Sequence, residues 1–110
     1  MDSRLLYSAT ETLKNKLKWI PKNGEEWQHF GTDLKEPFSV LREYVEEHLG
    51  LENLYIVTNR NESGQLINNE IEIVINDIAG KENFLLWDLE LTKAIEFNKI
   101  GILRQGIIKK

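Results

Sequence analysis

The sequence predicts an α+β fold, with N-terminal helices packed on a mostly antiparallel three- or four-stranded sheet. Three observations carry this expectation. Apolar residues recur at helical spacing up to Gly50. Beyond it the chain turns to β-branched and alternating segments, as in Leu54–Thr58 and Glu70–Asn76. Finally, 110 residues with 41% apolar and 29% charged content can close one core but not two, so residues 1–110 are expected to form a single globular domain.

The first helix is expected from Ser3, its cap, with Ser8 and Thr10 as further cap candidates. Leu5, Ala9, Leu13 and Leu17 place an apolar stripe on one face, with Leu6 and Ile20 beside it. Lys14, Lys16 and Lys18 suit its C-terminal end, and Pro21 with Asn23-Gly24 stops it. Glu25–Phe30 reads as a short helix closed by Gly31, and Thr32–Pro37 as a connection. A second helix follows from Pro37 or Phe38 to Leu49. Leu41, Tyr44, Val45, His48 and Leu49 share one face, Glu43, Glu46 and Glu47 point to solvent, and Gly50 caps the end.

Leu54–Thr58 is the first expected strand, followed by a polar loop from Asn59 to Gly64. Glu70–Asn76 sets Ile71, Ile73 and Ile75 against Glu72, Val74 and Asn76, and is expected to pair with the first strand in a long-looped hairpin. After a turn at Gly80–Asn83, Phe84–Trp87 is a third strand. Leu89–Phe97 is expected to be helical, with Asp88 as its cap. Gly101–Ile108 is the last strand, interrupted at Gly106.

Charge is unevenly distributed. Residues 25–77 hold twelve acids, Asp33 among them, against three bases, a balance of −9. The remainder holds eleven bases against six acids, or +5, which returns the net −4. An acidic surface on the second helix would repel phosphate backbones and attract a basic protein. Nucleic acid is therefore not expected as a direct partner. The absence of cysteine excludes disulfides, thiolate metal sites and a cysteine nucleophile. The stretch after Met1-Asp2-Ser3-Arg4 has no signal-like apolar run, and no segment has the length of a membrane helix, so a cytoplasmic location is expected.

No motif for catalysis stands out. His29 and His48 lack metal-ligand spacing, no serine sits in a nucleophile elbow, and no glycine-rich phosphate loop is present. No metal or other cofactor is expected. Asp77 and Asp88, near the expected sheet ends, are the carboxylates with which a small enzyme or ligand-binding domain would work. Among the three tryptophans, Trp27 lies in acidic surroundings and is the candidate binding aromatic, with Phe30 and Tyr44 able to join it.

Small size, acidity, lack of cysteine and helix-first order resemble bacterial immunity proteins, which bind and neutralise a cognate toxin. The segments Phe84-Leu85-Leu86-Trp87-Asp88, Ala94-Ile95-Glu96-Phe97 and Ile100-Gly101-Ile102-Leu103-Arg104 have the general look of the closing part of such proteins. The resemblance implies a non-enzymatic inhibitor of a toxin domain, often a nuclease with a basic surface. The expected partner-binding residues are Trp27, Glu43, Tyr44, Glu46 and Glu47. The rival readings are the small enzyme or ligand domain and a homo-oligomeric regulatory or structural protein.

Overall fold

The computed structural model describes residues 2–32 and 34–109, so Asp33 of the acidic section lies outside the described residues. The architecture is α+β. In chain order it runs α1 (Ser3–Leu13), β1 (Leu17–Ile20), β2 (Gln28–His29), α2 (Phe38–His48), β3 (Asn53–Val57), β4 (Gly64–Ile67), α3 (Asn69–Ile78), β5 (Phe84–Trp87), β6 (Lys93–Asn98) and β7 (Ile102–Ile108). The seven strands form one antiparallel sheet of order β1-β7-β6-β5-β3-β4, with β2 also on β7. The sheet thus has more strands than the three or four expected. Its helices are also interspersed: α2 follows β2 and α3 follows β4.

Strand alternation splits the core between the two sheet faces. Leu54, Ile56, Phe84, Leu86, Ile95, Phe97 and Leu103 pack with Leu41 and Val45 of α2 and Ile71 and Ile75 of α3. Val57, Leu85, Trp87 and Ala94 pack with Leu6 of α1. On the first face Phe84 and Phe97 stack with ring centroids 4.4 Å apart, and Phe30 meets Phe97 edge-on at 6.1 Å. Phe30 is therefore a core residue, not a companion of Trp27 in binding.

Several expected elements are corrected. Helix α1 ends at Leu13, and a single 3-10 turn over Lys14–Lys16 leads into β1, which takes up the open edge of β7. The buried face of α1 is Leu6 and Thr10, one turn apart, while Leu5 is 61% exposed. Its cap is Asp2, whose carboxylate accepts the Leu5 N–H at 2.9 Å. Ser3 instead donates its hydroxyl to the Arg60 carbonyl and accepts from the Ser63 amide. Residues 25–30 are not helical. Asn23 and Gly24, both at positive φ, form a tight turn closed by reciprocal Lys22–Glu25 backbone bonds, and β2 follows.

The segment 70–76 is helix α3, not a strand. Ile71, Ile75 and Ile78 recur at helical spacing and are buried, whereas Ile73 is 66% exposed. The hairpin partner of β3 is β4. Residues 89–97 do not form a helix either. A turn over residues 88–92 leads into β6, and Asp88 holds that turn by accepting the Thr92 and Lys93 amides and the Thr92 hydroxyl. Strand β7 runs unbroken through Gly106. By contrast, α2, β3, β5 and the turns at residues 58–63 and 80–83 lie where expected.

One buried polar contact fastens α1 to the sheet. The Trp87 indole N–H donates to the Thr10 hydroxyl at 3.0 Å, and Thr10 is 2% exposed. Thr10→Val preserves shape but strands this donor. The expected loss is about 2 kcal/mol of unfolding free energy in urea, against a negligible change for Thr12→Val on the exposed side of the helix.

Candidate functional site

The charge asymmetry has a structural counterpart on α2. Its inner face is Phe38, Leu41 and Val45, so Glu43, Glu46 and Glu47 fall on the solvent side. With Ser39 and Arg42 they border a shallow depression of about 420 Å³. A second, of about 640 Å³, shares Arg42 and Glu46. It continues over Leu49 and Leu51 to Glu52 and to Asp88, Leu89 and Glu90 of the β5–β6 turn. The two depressions thus adjoin through Arg42 and Glu46, and the larger of them carries the apolar Leu49, Leu51 and Leu89. Among the described residues that line them Arg42 is the one base, pairing with Glu46 at 3.3 Å, and Lys22 reaches Glu47 from outside at 3.8 Å. Arg42 and Glu46 are both more than half exposed, so their pair contributes little energy.

Tyr44 lies at the border of this surface. Its ring is half-buried, and the Lys22 ammonium sits 4.6 Å from the ring centroid while reaching Glu47 at 3.8 Å. Trp27 comes from the same β1–β2 connection but turns the other way. Its ring meets the Arg104 guanidinium at 4.4 Å, in a cavity lined by α1. The structure thus brings Glu43, Tyr44, Glu46 and Glu47 together and places Trp27 elsewhere.

The turn beside the acidic surface is held rigidly. Leu91 has φ of +56°, a conformation that costs a bulky residue about 1–2 kcal/mol. The three hydrogen bonds accepted by Asp88 and the bond from the Leu91 amide to the Asp88 carbonyl maintain it. The result is a fixed presentation of Leu89, which is 43% exposed. Asp88 thus serves the backbone of its turn, and Asp77 belongs to α3, so the two acids do not share a site.

A separate concavity, of about 330 Å³, lies between the C-terminal half of α1 and the sheet. Strand register builds it. Glu96 of β6 stands opposite Arg104 of β7, and Trp27 precedes the β2 residue that pairs with Leu103. Arg104 donates through Nε to Glu96 at 2.6 Å and lies 3.3 Å from Glu26. Lys14, just past the end of α1, reaches the second Glu96 oxygen at 3.3 Å. Trp19 of β1 lies across Gly106, whose missing side chain provides the space, and its ring is 3.8 Å from the Arg104 guanidinium. None of Glu96, Arg104 or Lys14 stands out in the sequence, because residues 96 and 104 become neighbours only once both flanking segments are strands.

His48, at the end of α2, has its Nε2 2.9 Å from the Gly106 carbonyl, and burial pushes its pKa below the usual 6.5. The neutral ring donates Nε2–H to that carbonyl. The unfolded chain takes up the proton first as pH falls below 6.5, so the stability held above that value is lost on acidification. The urea midpoint is expected to drop between about pH 7.5 and 5.5. His48→Gln, which keeps an N–H donor but does not titrate, is expected to flatten that part of the pH profile.

Among the described residues no group of three or more His, Asp or Glu side chains is placed to hold a metal ion. No helix is long and apolar enough to cross a membrane. Comparison with protein-family models, curated proteins and solved structures found no match.

Proposed function

We propose that this chain is an immunity-type inhibitor that binds a cognate bacterial toxin domain and occludes its active site or substrate channel. The supporting observation is the continuous acidic surface joining the solvent side of α2 to the β5–β6 turn. Apolar side chains ringed by acids suit a basic protein surface. The apolar centre contributes affinity and the rim sets register and association rate. A toxin acting on nucleic acid carries such a basic surface where the phosphate backbone docks. In this reading Glu43, Glu46 and Glu47 supply charge complementarity, and Tyr44 adds an aromatic border. Trp27, turned into the other cavity, contributes only if a second contact forms there.

The test uses the product of the gene adjacent to that of this chain. Binding is expected to weaken steeply as salt rises. The combined variant Glu43→Lys/Glu46→Lys/Glu47→Lys is expected to slow association at least tenfold at low ionic strength and to abolish inhibition of the toxin. An unchanged association rate across the salt series places the interface on another face.

A further inference from the structure

A buried ion pair is seldom retained for stability, because well-packed apolar residues of similar volume do at least as well. The row Trp27–Arg104–Glu96 sets a partly buried pair into a sheet face that is otherwise apolar next to it, at Val57 and Leu85. Side-chain exposure is only 20% for Arg104 and 14% for Glu96. The cavity above the pair, about 330 Å³, is at the small end of the size range of sites for small molecules. Its charges are of both signs. Glu11 lies in the last turn of α1 and Lys14, three residues on, is its C-cap, and both line the cavity. Lys14 spends one contact on Glu96 and is 41% exposed, which leaves donors at the opening.

Two amides complete the polar set. The side-chain oxygen of Asn83 accepts the Lys99 amide at 2.8 Å, and that of Asn98 accepts the Ile100 amide at 3.1 Å. Each is thereby fixed in orientation with its NH2 group left to donate. Trp27 and Tyr7 add aromatic walls.

We propose that this cavity binds a free amino acid with an aromatic side chain. Its carboxylate would be met by Lys14 and the asparagine amides, its ammonium by Glu11, and its ring by Trp27. A purely anionic ligand leaves Glu11 opposed to it. A purely cationic one meets Lys14 and Arg104. A zwitterion satisfies both signs at once.

The test is calorimetric titration of the intact chain with each of the twenty L-amino acids at up to about 10 mM, well above a Kd of roughly 1 mM. Saturable binding of phenylalanine, tyrosine or tryptophan is expected. It should be lost when the amino group is acetylated or the carboxylate amidated. Lys14→Met and Glu11→Gln, both at exposed or half-exposed positions, should each weaken it about tenfold or more, with folding checked by near-UV circular dichroism. Equal binding of the N-acetylated form would make this a simple anion site and overturn the proposal, as would the absence of saturable heat for all twenty. The combined charge reversal on α2 leaves this binding intact, so failure here and failure of the toxin-binding reading are separable.

Discussion

Gly101→Ala is expected to lower the unfolding free energy by about 3 kcal/mol and the melting temperature by roughly 12 °C. Gly101 has φ of +89°, where a side chain is strained. A Cβ built there would also lie 2.8 Å from the carbonyl carbon of Gly31. The obstacle is backbone, so no rotamer change relieves it. The contact is also structural: the Gly101 carbonyl accepts both the Phe30 and Gly31 amides, at 2.7 and 3.1 Å, and thereby ties the segment after β2 to the β6–β7 turn. Gly50→Ala is the control. Its φ of +82° is equally unfavourable, but nothing lies within 4 Å of the added carbon. Only the conformational part, about 1 kcal/mol, is expected there. Equal losses at the two sites would mean that the approach of Gly31 to Gly101 carries no energy.

Arg104→Ala is expected to cost about 3 kcal/mol, read from urea unfolding followed by tryptophan fluorescence. The substitution leaves Glu96, at 14% side-chain exposure, without its 2.6 Å partner. It also removes the cation that both Trp19 and Trp27 face. The Lys14 contact to Glu96 compensates in part only, because Lys14 is 41% exposed and its attraction is screened. The double variant Glu96→Leu/Arg104→Met separates pairing from packing. It removes both charges and keeps bulk, and should come within about 1 kcal/mol of the parent. If the single and double variants are equally unstable, the pair is held by something other than mutual compensation of charge.

Where local spacing determined the outcome, the sequence was readable. Leu41 and Val45 one turn apart, with Gly50 beyond, identify α2, and its acids follow as the opposite face. The same logic misled at α3, since Ile71, Ile73 and Ile75 satisfy a period of two while Ile71, Ile75 and Ile78 satisfy one of 3.6. Strand β1 was hidden for a similar reason. Leu13 and Leu17 continue a helical stripe, and only the open edge of β7 draws residues 17–20 into the sheet. Strand β4 buries Leu66 alone, too little to register as a pattern.

The acidic surface was legible in part. Glu43, Glu46 and Glu47 were visible as one helix face, but their continuation to Glu52 and Glu90 depends on where the β5–β6 turn comes to rest. Trp27 is legible in the sequence as an aromatic among acids. Its partner is Arg104, brought to it by strand pairing and also in contact with the neighbouring Glu26. One local signal for that region was available. Asn23-Gly24 is a tight-turn dipeptide, and it sends the chain back along β7 so that Trp27 reaches Arg104.

The acidic surface of α2 and the β5–β6 turn is expected to receive a basic partner. Amide hydrogen exchange of this chain, free and mixed with the product of the gene next to its own, is the measurement that decides. Slowed exchange is expected on binding at residues 42–53 and 88–92, with β4 and its outer edge unchanged. Protection confined to β4 or to α1, with residues 42–53 exchanging as in the free chain, would contradict it.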